Sequence, residues 1–85
     1  MVKQIVYSRA ALKTLARIPQ NSAKLIRDKV RQYASDPASL ANNVKMLQGP
    51  ERLWRLRVGD WRVIFDEDGQ VILVARIAPR GGAYD

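Results

Sequence analysis

Four arginines, Arg55, Arg57, Arg62 and Arg76, punctuate an otherwise apolar segment at residues 53–77. Forked guanidinium groups in such a series suit the binding of phosphate or carboxylate. Leu53-Trp54-Arg55-Leu56-Arg57-Val58 alternates apolar and basic residues with period two from Trp54, the pattern of a half-buried strand. Gly59-Asp60 suits a two-residue hairpin turn of type II′, with glycine in the first central position. A second strand follows at 61–65 and a third at 71–77, joined through Asp68-Gly69, which reads as a I′-type turn. On this register Arg57 faces Arg62, Leu56 faces Val63 and Trp54 faces Phe65. Trp54, Leu56, Val58, Trp61, Val63 and Phe65 then share one face, and Arg55, Arg57, Arg62 and Ile64 share the other. Two arginines opposed across a ladder repel each other by up to about 1 kcal/mol. An anion site explains why such a pair is kept, and a solvated basic face explains it equally well.

Composition narrows the chemistry. The 85 residues include no cysteine and no histidine, which removes disulfides, thiol nucleophiles, zinc-finger patterns and imidazole acid–base catalysis. Any catalysis must run on Arg, Lys, Tyr, Asp or Glu. Fifteen basic residues against eight acidic ones leave a charge of +7, and ten of the fifteen are arginine. Such a charge attracts polyanions, and both nucleic acid and an acidic protein fit it. No apolar run has membrane-spanning length, and the first four residues lead into a strand rather than a secretory signal. The expected location is cytoplasmic, with no membrane partner.

The elements that position the arginines can be read from the rest of the chain. A short strand is predicted at 3–7. Ser8 is an N-cap for a helix at 9–17 whose inward face carries Leu12, Leu15 and Ala16. Pro19 interrupts, and a second helix at about 20–34 folds back with Ala23, Ile26, Val30, Tyr33 and Ala34 as its apolar stripe. A helical turn near 38–42 and a brief strand or extended lead-in at 44–47 precede the break at Gly49-Pro50. The expected fold is a single α+β domain over residues 1–85. It has an antiparallel sheet of about four strands, covered on one face by an N-terminal helical hairpin. The order is β-α-α-β-β-β, with room for one extra short strand.

Trp54, Trp61, Tyr7 and Tyr33 are expected to pack rather than stack on bases. In the third strand, Ile72 and Val74 are expected to face the helices and Val71, Leu73, Ala75 and Ile77 to lie behind. Arg76 then falls on the helix side, at its rim. A bulge or one-residue slip would exchange these faces.

After the third strand, Pro79, Gly81 and Gly82 impose a turn that leaves Arg80 and Tyr84 near the end of the basic face. The residues admit two readings. One is a loose tail. The other is a phosphate-binding arginine beside a tyrosine that stacks on a base or bonds a ribose hydroxyl.

The run Leu56-Arg57-Val58-Gly59-Asp60-Trp61-Arg62-Val63-Ile64-Phe65, then a valine-rich strand and Pro79-Arg80-Gly81-Gly82-Ala83-Tyr84, resembles the RelE/ParE superfamily of bacterial toxin–antitoxin modules. The resemblance covers nearly the whole chain and is nearest in motif to the RelE branch. It implies a toxin that acts as a ribosome-dependent, metal-free and cofactor-free endoribonuclease, cutting mRNA in the A site and arresting translation. By motif position, Arg62 resembles the central sheet arginine that grips the scissile region. Arg80 resembles the C-terminal catalytic arginine, and Tyr84 the tyrosine that orients the nucleotide. Arg55 and Arg57 resemble the RNA-binding basic residues of the preceding strand.

The partners implied are a cognate antitoxin, the ribosome with its mRNA, and operator DNA only through the antitoxin. The ParE branch, which shares the scaffold, implies instead an inhibitor of DNA gyrase, and a catalytically weak nucleic-acid-binding homologue is a third possibility. The chain departs from the RelE pattern at Pro79, where many relatives carry His or Lys, and at Gly81-Gly82. No strong general base is evident.

Overall fold

Alternation at period two and the glycine-marked turns become strands close to where the sequence puts them. The computed structural model describes residues 2–81. In chain order it holds β1 (Gln4–Tyr7), α1 (Arg9–Arg17), α2 (Gln20–Ser35), a 3-10 segment (Pro37–Asn43), β2 (Val44–Met46), β3 (Trp54–Val58), β4 (Trp61–Glu67) and β5 (Val71–Pro79). The α+β expectation holds, the extra short strand it left room for is present, and one correction concerns the sheet. Residues 44–46 do pair, against β3, so there are five strands in the order β1-β5-β4-β3-β2. The sheet is mixed rather than antiparallel, because β1 runs parallel to β5. Among the described residues no helix is long and apolar enough to cross a membrane.

Both helices cover one face. Ile26, Val30, Tyr33 and Ala34 of α2 are buried, as its stripe predicts, with Ala23 packed at the margin. In α1 the inward face is turned from the expected one. Ala11 and Leu15 are buried, whereas Leu12 is 47% exposed and Ala16 is exposed. Because α1 lies on β5, the small side of the helix, at Ala11, is the one that allows close approach. Leu56, Val58, Val63, Phe65, Ile72 and Val74 complete the core from the sheet, with Trp54 and Trp61 packed at its edge.

The first hairpin follows its sequence: Gly59 has φ +56°, and among the described residues only glycines take a positive φ. The β4–β5 connection does not follow. Gly69 and Asp68 both have negative φ, so the turn is not type I′. Instead the Asp68 carboxylate accepts the amides of Gln70 and Val71, each at 2.8 Å, which holds its pKa below the usual carboxylate value. This wider loop sets Phe65 opposite Val74 and Glu67 opposite Ile72. Relative to a two-residue turn, β5 has slipped by two positions. An even slip preserves the faces, so Ile72 and Val74 still meet the helices.

The odd step comes at Ala75. Phe65 pairs with Val74 but Ile64 pairs with Arg76, leaving Ala75 as the extra residue of a β-bulge. Beyond it the faces exchange. Ile77, expected behind the sheet, sits opposite Val63 in the core at 5% exposure. Arg76, expected at the helix-side rim, lies on the far face beside Ile64. Ser8 secures the bulge: its amide donates to the Val74 carbonyl at 2.9 Å and its hydroxyl to the Ala75 carbonyl at 2.7 Å. The same Oγ accepts the Ala11 amide at 3.0 Å and caps α1.

A second polar link ties the far end of β4 to the helices. The Tyr33 hydroxyl donates to Glu67 at 2.7 Å, its ring packs on Phe65 with centroids 5.1 Å apart, and Lys3 pairs with the same carboxylate. Burial first, and then the bond to Glu67, push the Tyr33 phenol pKa well up. Tyr7 is half-buried beneath the Arg27 guanidinium, 5.5 Å from the ring centre.

Ser8→Ala removes a helix cap and leaves the bulge carbonyl without its donor. Denaturant unfolding should show a loss of about 2 kcal/mol, with Ser8→Thr recovering most of it; a loss within a few tenths of a kcal/mol would deny Ser8 that role. The raised Tyr33 pKa also has a sign. The folded chain keeps this proton where an unfolded tyrosine, with a pKa of about 10, would release it. That contribution is complete below about pH 10 and is lost as pH rises toward the folded value. Unfolding midpoints measured on either side of pH 10 should fall more steeply for wild type than for Tyr33→Phe.

Candidate nucleic-acid interface

The face of the sheet away from the helices is organised in cross-strand rows. One row runs Lys45, Arg55, Ile64, Arg76 across β2, β3, β4 and β5. The next, nearer the β3–β4 turn, runs Arg57, Arg62, Ala78. Side chains along a row stand about 5 Å apart and successive rows about 7 Å apart, so these cations occupy one continuous surface. No acidic residue stands in either row. Asp66 lies one row further on, opposite Leu73. Ile64 is fully buried between Arg55 and Arg76, although it faces away from the core.

The arginines are not equivalent. Arg57 and Arg76 are exposed and Arg55 half-buried, whereas Arg62 is 7% exposed, the only charged residue among those described to be buried. Arg62 Nη1 donates to the carbonyls of Gly59 and Trp61, both at 3.0 Å. Its guanidinium is therefore folded back onto the turn that joins β3 to β4. Arg80 meets the same turn through its backbone, with its amide bonded to the Asp60 carbonyl at 2.7 Å and its side chain exposed. Arg57, Arg62 and Arg80 thus gather at one end of the sheet, around Gly59-Asp60. Tyr84 lies outside the described residues. Among those described, no three His, Cys, Asp or Glu side chains gather as metal ligands.

Lys45 and Arg76 were not anticipated on this surface. Arg76 had a readable signal, since an arginine in phase with the buried positions of an apolar strand is itself a mark of a bulge. Lys45 had none, because whether the short segment at 44–46 would pair was undecided.

A family model described as the ParE toxin of the type II toxin-antitoxin system, parDE, matches residues 5–84. The chain belongs to the RelE/ParE toxin superfamily. A curated relative, Toxin RelE3 of Methanocaldococcus jannaschii, is 24% identical over 84 residues, 96% of each chain. The archaeal RelE–RelB complex from Pyrococcus horikoshii OT3 contains a chain of similar structure at 25% identity and TM-score 0.79, covering 98% of this chain and 100% of that one. The toxin–antitoxin complex RelBE2 of Mycobacterium tuberculosis shares the fold at TM-score 0.80 and 14% identity, covering 94% and 100%. The helical hairpin and the sheet that carries the arginine rows are therefore the superfamily scaffold.

Within this RelE/ParE chain the opposed pair Arg57–Arg62 should split in its effect on stability. Arg62→Ala removes two charge-assisted bonds to the turn and should cost about 2 kcal/mol in thermal or denaturant unfolding. Arg57→Ala removes an exposed cation facing a like charge and should leave stability unchanged or raise it by up to about 0.5 kcal/mol. Equal losses from both would show that Arg62 does not brace the turn.

Proposed function

We propose that this chain is the toxin of a toxin–antitoxin module and that it cleaves mRNA in the ribosomal A site as a ribosome-dependent, metal-free endoribonuclease. The observation that supports this most is the gathering of Arg55, Arg57, Arg62 and Arg76 on one sheet face, with the Arg80 amide anchored at its end. In such a reaction the ribose 2′-hydroxyl attacks the adjacent phosphorus, charge grows on the phosphoryl oxygens, and the 5′-oxygen leaves. The products are a 2′,3′-cyclic phosphate and a 5′-hydroxyl end.

Arg57 and Arg80, both exposed, are placed to hold the phosphate. One fixed donor to such developing charge is worth roughly 3 kcal/mol. Arg62, buried behind them, contributes a fixed positive charge and braces the turn. Arg55 tracks the RNA backbone, and Tyr84 orients the nucleotide. With Pro79 in the place of a basic neighbour, the protein relies on the ribosome to align the attacking hydroxyl, and positioning of that kind can supply much of a barrier reduction.

The partner is a cognate antitoxin. The solved RelE–RelB complexes support this, as does the charge of +7, which an acidic segment laid over the basic face would neutralise. Operator DNA is reached only through that antitoxin. One observation favours a second reading: the matching family model is that of ParE, which points to inhibition of DNA gyrase without phosphodiester chemistry.

Toeprinting on translating ribosomes separates the two. New A-site mRNA ends should appear with wild type and fall about 100-fold with Arg80→Ala at an unchanged melting temperature. Absence of new ends, together with loss of supercoiling by purified gyrase, would establish the second reading.

A further inference from the structure

The outer side of α1 is a second basic surface. Arg9, Lys13 and Arg17 recur every fourth residue, and all three are exposed. On a helix that spacing stacks side chains along one side, about 6 Å apart. The buried residues Ala11 and Leu15 define the opposite side of the same helix, so the stripe points away from the sheet and from its arginine rows. No acidic residue occurs in α1.

The stripe is costly to the fold. Like charges at i, i+4 repel along a helix, and the helix dipole disfavours Arg9 in the first turn while favouring Arg17 in the last. Neighbouring cations on α2 are treated differently: Lys24 and Arg31 both pair with Asp28, and Arg27 lies over Tyr7. Among the described residues, Arg9, Lys13 and Arg17 take part in no ion pair or side-chain hydrogen bond.

We infer that Arg9, Lys13 and Arg17 form a second nucleic-acid contact, which grips the phosphate backbone of structured RNA while the opposite face of the protein handles the strand to be cut. A row of point charges at one helical turn each matches the step between successive phosphates along one strand. An interface with a protein would place apolar residues at its centre and charges at its rim. Here the cations hold the centre and Leu12 the flank. The identification of the ligand as RNA rests on the proposed ribosomal function. The two surfaces face opposite ways, so one RNA segment can anchor the protein without occluding the other.

The test uses the full chain with Arg9→Gln, Lys13→Gln and Arg17→Gln combined, and a labelled RNA hairpin as probe, followed by fluorescence anisotropy over a salt series. The triple variant should bind about tenfold or more weakly near 0.1 M salt, and its log–log salt slope should be shallower by about 2 to 3. Its melting temperature should not fall, since repulsion is relieved. An unchanged affinity and slope would overturn the inference. So would weakened binding to a polyglutamate peptide with RNA binding intact, which would assign the stripe to an acidic protein. On translating ribosomes, the concentration of ribosomes needed for half-maximal cleavage should rise in the variant. Failure of the wild type to cleave there would sink the ribonuclease reading, while the hairpin measurement still decides the α1 contact.

Discussion

The Ser8 hydroxyl bond to the carbonyl of Ala75 couples three things that would otherwise be independent: the start of α1, the parallel pairing of β1, and the phase of β5. A bulge leaves a strand with one backbone group out of the ladder, and a buried carbonyl without a donor is costly. Ser8 meets that carbonyl while its own oxygen caps the helix. Downstream of the bulge every side chain of β5 changes face. Ile77 enters the core and Arg76 leaves it, so the same local device completes the hydrophobic layer and the basic surface.

That basic surface works against folding, and its composition shows how the conflict is contained. Arg57 and Arg62 stand opposite each other in the ladder. Repulsion between them is softened because Arg62 turns away and is solvated by the Gly59 and Trp61 carbonyls. Arg57 stays exposed. The result is one buried charge held by two backbone carbonyls and an exposed one across the ladder from it. The Arg80 amide bonds the Asp60 carbonyl, which lies between the two residues that hold Arg62, so the end of β5 is registered against the same turn.

Much of this was legible in the sequence because it depends on local periodicity. The β3–β4 hairpin, its register, the II′-type glycine at Gly59 and the inward stripe of α2 all follow from spacing alone. What was not legible depends on contacts made across the chain. The parallel neighbour of β5 is chosen by tertiary packing. The Asp68 loop is set by a side-chain carboxylate that competes with the expected turn. The inward face of α1 is decided by how closely Ala11 can approach β5, which periodicity cannot distinguish from a face built on Leu12. At the site, Arg55, Arg57 and Arg62 fell on the face expected of them. Arg76 did not, because a single extra residue inverts parity, and the burial of Arg62 depends on a bond to a turn that no alternation pattern encodes.

The placement of Arg76 is the point on which the continuous basic face stands, and proton–proton contacts across β4 and β5 in solution test it most directly. With the bulge at Ala75, backbone protons of Ile64 should contact those of Arg76, and Ile77 side-chain protons should contact the core. Contacts from Ile64 to Ala75, with the Arg76 side chain among the core residues and Ile77 on the far face, would contradict the architecture and dissolve the arginine row.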